Sequence, residues 1–138
     1  MSLSLVAPPL VGRHSEAQVI TTLSPGDVLV VKLSPPSQEI GVLLTGFQAD
    51  CEPETVYAIA HWHPEVQPHE GYVTPALVEI VNQNLREVMP LIAQGQTMVF
   101  RFENKASYDV DFEVVVGFII GSYDKLRKFR EARLYGVR

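Results

Sequence analysis

Turn-forming residues interrupt this sequence at short intervals, and the apolar runs between them are only six to thirteen residues long. Ten prolines and nine glycines are spread along the 138-residue chain, which suits many short elements joined by many turns. Apolar runs of this length, bounded by proline, glycine, serine and asparagine, are typical of β-strands. The predicted strands span residues 18–23, 28–33, 39–48, 55–62, 97–103 and 108–120. The pattern therefore predicts a mainly β protein.

The last predicted strand changes character along its length. Its first half carries Asp109, Asp111 and Glu113 on one face, which indicates a solvated strand face, with calcium binding as the alternative. Its second half, residues 115–120, is apolar on both faces. A strand that is covered on both faces lies in the middle of a sandwich or at a contact between subunits. We therefore expect an antiparallel β-sandwich.

One segment, residues 75–89, has helical rather than strand periodicity. Thr74 followed by Pro75 is typical of a helix N-cap with proline at the first helical position. Apolar residues then recur at intervals of three and four, which predicts an amphipathic helix that ends before Pro90. Because several of these residues are β-branched, a pair of strands is the alternative.

The chain divides into three parts by composition. Residues 18–122 contain the predicted strands and form a β-sandwich domain of ordinary size. Residues 1–17 include two adjacent prolines and little periodic pattern, so we expect an extended N-terminal arm. Residues 123–138 are a basic C-terminal tail, either a short helix or an extended arm. Their net charge is +4, whereas residues 1–122 carry 5 basic and 14 acidic side chains, a net charge of −9.

The acidic body restricts the expected partners and location. It repels nucleic acid and anionic lipid, so nucleic acid is an expected partner only through the basic tail. The sequence lacks a basic leader and an apolar run of about 20 residues that would cross a bilayer, which predicts a protein that is made in the cytoplasm, is not secreted and does not enter membranes. The single cysteine, Cys51, lies among carboxylates that disfavour its thiolate.

A cluster of histidines is the strongest candidate for a chemical site. If residues 55–63 form a strand, His61 and His63 project to one face, and His69 follows after a short interval. Neutral imidazoles in this arrangement are suited to a transition metal. The His-x-His step resembles the first metal motif of cupins, although the spacing to Glu65 differs and no histidine follows His69. The resemblance implies a cupin-like metal-binding β-barrel as the alternative function.

Other chemical roles have less support in the sequence. No serine lies in a Gly-x-Ser-x-Gly turn, and no glycine-rich phosphate loop follows a strand, so we predict neither an enzyme nor a cofactor. Trp62 and Tyr72 lie in a long predicted loop, where their rings could stack on sugars. A carbohydrate-binding β-sandwich is therefore a second alternative.

The strand pair near the C-terminus resembles that of jelly-roll proteins in virus particles. A strand over residues 98–104 ends in asparagine, a short polar turn follows, and a long strand then leads to Gly117-Phe118. Small capsid and decoration proteins of bacteriophages share this arrangement. The resemblance, over residues 98–121, implies a jelly-roll sandwich, self-association that is often trimeric, and arms that tie neighbouring copies together.

The function predicted from these features is a structural protein of a virus particle: a capsid, decoration or other virion component that works by self-assembly. Its expected partners are copies of itself and other virion proteins, and its expected location is the virion. The arm and the tail supply the predicted contacts, because an apolar arm left in water is unfavourable and a basic tail suits the acidic face of the next copy. The predicted contact residues are Leu3, Leu5, Leu10, Arg127, Arg130 and Arg133.

Overall fold

A computed structural model describes residues 2–6, 13–61 and 69–135. These described residues form nine strands and two helices. In chain order these are β1 Ser2–Val6, β2 Arg13–Leu23, β3 Val28–Leu33, β4 Ile40–Asp50, β5 Val56–His61, β6 His69–Tyr72, α1 Pro75–Val88, β7 Leu91–Ile92, β8 Met98–Asn104, β9 Val110–Ser122 and α2 Tyr123–Tyr135.

The strands form two antiparallel sheets that pack face to face. Sheet A has the order β1-β2-β9-β4-β7, and sheet B has the order β3-β8-β5-β6. More than half of the described residues lie in strands, so the prediction of a mainly β sandwich is confirmed. The 13-residue β9 lies at the centre of sheet A, between β2 and β4.

The pairing of the strands is nested. β2 pairs with β9, β3 with β8, β4 with β7, and β5 with β6, all antiparallel. The first of these eight strands therefore pairs with the last, the second with the last but one, and so on inward. From β2 onward, β5 and β6 are the only consecutive strands of the described chain that pair with each other, and every other connection crosses to the opposite sheet. The eight strands thus resemble one long hairpin that has been folded over to give two layers.

Phenylalanine rings fill the space between the sheets. β8 alternates buried and half-exposed positions along its whole length, as a strand with one face in the core requires. Its Phe100 and Phe102 are fully buried, and the ring of Phe47 in β4 stacks on Phe100 at 4.8 Å between centroids. Phe112 of β9 lies 4.8 Å from Phe102 on the other side. Aromatic side chains bury the largest apolar areas, so this row of rings contributes much of the stability of the fold.

Helix α1 packs on β4 and β6, against one edge of each sheet, and confirms the helical prediction for this segment. The hydroxyl of Thr74 accepts a hydrogen bond from the backbone N–H of Leu77, which caps the helix, and Pro75 occupies the first turn. Asn82 bonds to both the N–H and the C=O of Phe47, so its amide takes the place of a neighbouring strand along β4. The alternative of a strand pair in this segment is wrong.

The tail is a helix, which is one of the two forms expected for it, and it packs on its own chain. Leu126 of α2 is fully buried against Leu43 and Leu91. Ile119, on the outward face of β9, packs against the same cluster. The doubly apolar half of β9 is therefore covered on its second face partly by α2 of the same molecule. Gly41 permits this approach, because a Cβ there would lie 3.1 Å from side-chain atoms of both Leu91 and Tyr123.

Some boundaries differ from those expected. Residues 13–17, which the sequence placed in the arm, belong to β2 and pair with β9. The region expected to be a long loop before the helix contains β6. β4 runs on to Asp50 and departs from regular register with β9 between Leu44 and Gly46. Composition alone did not predict these boundaries, because they depend on the pairing of each strand with its neighbours in the sheet.

Candidate interaction surfaces

The histidine cluster falls only partly within the described chain. His61 ends β5 and is paired with Val99 of β8, and His69 begins β6 opposite Ala60. The register therefore does not place His61 and His69 directly opposite each other. His63 lies outside the described residues, as does Trp62. The metal site stays a prediction. Among the residues that the structure does describe, no group of three histidine, cysteine or acidic side chains could hold a metal ion.

Two of the three predicted tail arginines make contacts inside the molecule. Arg127 bonds to Asp124 at 3.3 Å and to Glu131 at 3.1 Å along the same helix, and these carboxylates raise its pKa. Arg130 donates to the backbone carbonyls of Val88 and Met89, at the C-terminal end of α1. A guanidinium at a helix C-terminus satisfies carbonyls that have no partner in the helix and interacts favourably with the helix dipole.

The other predicted contact residues are less constrained. Arg133 is exposed, and its guanidinium lies 5.8 Å from the ring centroid of Phe129. Leu3 and Leu5 belong to β1, which pairs with the first half of β2 as the outer strand of sheet A. Leu10 lies outside the described residues. Of the predicted arm, residues 2–6 are therefore a strand of the sheet.

Lysines on α2 form a separate basic stripe. Lys125 and Lys128 are three residues apart, so they lie on one side of the helix, and both are exposed. Neither takes part in an ion pair among the described residues. The basic stripe, Lys125 and Lys128, is therefore available to a partner.

The outer face of sheet A forms an acidic trough at the end opposite α2. The trough consists of Ile20, Asp50, Glu52, Asp111 and Glu113, and its volume is about 590 Å³. No basic side chain is among the described residues that line it. Ile20 is 70% exposed, more than any other large apolar side chain in the described part of the chain. The trough thus combines a bare apolar residue with a rim of carboxylates.

Strand register places like charges side by side in the acidic trough. Asp50 of β4 pairs directly with Glu113 of β9, and Ile20 of β2 pairs with Glu113 on its other side. Like charges directly opposite each other in an antiparallel pair are destabilising. Hydrogen bonds from the hydroxyls of Thr22 and Tyr108 reach Asp111 and Glu52 respectively, at 2.9 and 3.0 Å. The Asp50–Glu113 repulsion is left without a compensating cation in the described chain.

The outer face of sheet B has a different character. Val28 and Val30 of the edge strand β3 are 44% and 42% exposed. Next to them in β8, Glu103 forms ion pairs with Arg101 and Lys105, and the Lys105 bond is the main cause of its lowered pKa. The Glu103 carboxylate on this face is therefore paired within the molecule, whereas the Asp50 and Glu113 carboxylates of the acidic trough form no ion pair among the described residues.

A tyrosine pair continues this face toward the other edge of sheet B. The rings of Tyr57 and Tyr72 meet edge to face, with 5.3 Å between centroids. Burial, followed by the nearby Glu70 carboxylate, raises the pKa of Tyr57. Tyr72 remains 42% exposed. The pair stabilises the edge strand β6 and presents an aromatic surface to solvent.

Cys51 lines the same cavity as the carboxylates of the acidic trough, but its thiol is not activated. Burial is the main cause that raises the pKa of its thiol above 9.0, and the Asp50 and Glu52 carboxylates act in the same direction. A thiol with a raised pKa is a poor nucleophile and a poor metal ligand at neutral pH. The sequence identified the effect of the carboxylates, but the larger contribution of burial follows from the fold.

Sequence reasoning recognised the acidic row of β9 but not the acidic trough. Asp50 and Glu52 belong to β4 and the loop that follows it, about sixty residues away in the chain, and only the β4–β9 register brings them to Glu113.

Comparisons with protein-family models, with curated proteins and with solved structures find no match to this chain. In the described part of the chain, no helix combines the length and the apolar character needed to cross a bilayer.

Proposed function

We propose that this protein is a structural component of a virus particle and that it acts by self-assembly. The observation that carries the proposal is the nested pairing of β2 to β9 across two sheets. A jelly roll has eight strands in two sheets, and the orders β2-β9-β4-β7 and β3-β8-β5-β6 support this winding for the chain. Jelly rolls occur in viral capsid proteins, in lectins and in cupins. Further features are needed to choose among these functions.

The filled interior favours a structural role over a cupin-like one. A barrel that binds a metal or a metabolite inside needs a cavity with a few polar groups. Here the stacked rings of Phe47, Phe100 and Phe102 occupy the space between the sheets. The described core side chains around them are mostly apolar, and the buried Asn104 at the end of β8 already has hydrogen-bond partners in its own chain. A core of this kind contributes stability and rigidity, which a particle subunit requires.

Exposed apolar side chains and a free strand edge support association. Among the described strands, β3 has a neighbour on one side only; it contains no proline, and its Val28 and Val30 are exposed to solvent. Strands with these properties readily pair with other chains unless something covers them. Ile20 adds an apolar residue on the opposite sheet. In this proposal, copies of the chain and other virion proteins cover these surfaces in the virion.

Electron microscopy of the purified full-length chain tests the proposal. At micromolar concentration and low salt, we expect rings, tubes or shells of uniform size. Uniform particles follow from closed symmetric contacts, whereas irregular aggregates do not. A field of single 15.4 kDa molecules at every concentration would contradict the proposal.

Carbohydrate binding is a second candidate, and the tyrosine pair favours it. Tyr72 exposes its ring beside Tyr57 on the uncovered face of sheet B, with Glu70 near enough to accept hydrogen bonds from hydroxyl groups. A glycan array tests this function. Binding of a glycan that is lost in Tyr72→Ala and kept in Tyr108→Ala would support it. Tyr108 is a matched control, because it is similarly exposed but belongs to the turn between β8 and β9 rather than to β6.

A further inference from the structure

The two ends of sheet A carry opposite charges, and one molecule cannot bring them together. Leu126, which lies between the two lysines, packs against Leu43 of β4. Asp50, at the far end of β4, lies seven residues from Leu43, which is about 23 Å along an extended strand. A lysine side chain is far too short to span this distance. The basic stripe of α2 therefore cannot neutralise the acidic trough of its own chain.

The acidic trough has two features that favour a basic occupant from outside. The directly opposed Asp50 and Glu113 repel each other, and a cation between them would remove this repulsion. Ile20, beside Glu113, offers an apolar surface that the methylene groups of a lysine side chain can cover. A metal ion alone would satisfy the carboxylates but would leave Ile20 in water.

We propose that the basic stripe of a second copy, Lys125 and Lys128, binds in the acidic trough of the first. The inference rests on the proposed self-assembly and names the surfaces that carry it. Because the two surfaces differ, each copy binds the next in a head-to-tail manner. Such a contact gives a ring when the rotation between copies closes and a filament when it does not.

This assignment changes the residues expected to make the contact. Arg127 and Arg130, which were predicted from the charge of the tail, already bond to groups of their own chain. Using them would break those bonds, whereas the lysines have no such partners among the described residues. The lysines of the basic stripe therefore replace the arginines as the central contacts.

Reciprocal charge reversal tests the assignment. The first variant, Asp50→Lys with Glu113→Lys, makes the trough basic, and the second, Lys125→Glu with Lys128→Glu, makes the stripe acidic. We expect each to raise the dissociation constant between copies by at least about tenfold, which corresponds to roughly 1.4 kcal/mol. A variant with all four changes should return to within about threefold of the wild type, since its surfaces are complementary again.

A matched control and a fold check make the result decisive. Glu87→Lys with Gln83→Lys and Gln94→Lys changes the net charge as much as the trough variant does, but at exposed positions on α1 and in the turn after β7, and should leave association unchanged. Circular dichroism should show wild-type folding for every variant. If the double trough variant fails to fold, the single change Asp50→Lys takes its place, because it replaces a repulsive pair with an attractive one. If the wild type assembles and all reversals behave like the control, this inference is wrong while the proposed function stands. If the wild type does not assemble, the proposed function itself fails.

Discussion

At the scale of single residues, the side chain of Asn104 makes three hydrogen bonds to separate segments of the chain. It is 1% exposed, and its amide donates to the carbonyls of Leu23 and Tyr108 while its carbonyl accepts from the N–H of Ala106. One side chain thus joins the end of β2, the end of β8 and the turn before β9. From the sequence, Asn104 was predicted only to end a strand.

Replacing Asn104 with alanine should lower the free energy of unfolding by about 2–4 kcal/mol, because three hydrogen bonds of a buried side chain are lost. Urea denaturation followed by fluorescence measures the change. Asn84→Ala is the control, since it removes one bond on a helix and should stay within about 0.5 kcal/mol of the wild type. Equal effects for the two variants would show that Asn104 does not hold these segments together.

Cys51 should respond to pH as a half-buried thiol. Its pKa is raised above 9.0 in the folded state, so at pH 7–8 it should react with a thiolate-specific reagent more slowly than it does in the urea-unfolded chain. The folded form holds its proton more tightly than the unfolded form does. This contribution to stability is therefore present below pH 9 and is lost as the pH rises through the folded pKa. Equal labelling rates for folded and unfolded protein at pH 7.5 would contradict the assignment.

At the scale of elements, Arg130 links the two helices. It is a residue of α2, yet its guanidinium completes the last turn of α1, where Met89 adopts a left-handed conformation with a φ of 48°. Both helices pack on β4, so this contact fixes them relative to each other on the same strand. The tail is therefore part of the folded body rather than a free arm.

Arg130→Ala should lower the free energy of unfolding by roughly 1–2 kcal/mol, because the carbonyls of Val88 and Met89 lose a charged donor. Hydrogen exchange should show the loss of protection concentrated in α2 and in the last turn of α1. Lys32→Ala, which removes an exposed cation from β3, is the control and should change stability by less than about 0.5 kcal/mol. Uniform loss of protection across both sheets would argue against a local link.

Elements with strong local patterns could be predicted from the sequence, and those that depend on distant contacts could not. α1 was predictable because its N-cap and its apolar spacing are local, and β8 because its alternation is regular. β7 has only two residues and exists because it pairs with Val42 and Leu43 of β4. The acidic trough depends on the β4–β9 register in the same way, so neither it nor β7 has a signal in the local sequence.

At the scale of the whole molecule, the sandwich separates its charges. The acidic trough lies at one end of sheet A, and α2 with its basic stripe covers the other end. A molecule with unlike ends attracts its own copies in a directed way, and salt weakens this attraction when the charges are exposed. The net charge of −5 hides this separation, because it sums the two ends.

The mass of the full-length chain in solution, measured by sedimentation over a range of concentrations, tests the central claim most directly. We expect a discrete assembly of several 15.4 kDa copies at micromolar concentration in about 50 mM salt, and its partial dissociation at about 500 mM. A single species of 15.4 kDa at all concentrations and both salt levels would contradict self-assembly, and with it the account of the exposed surfaces.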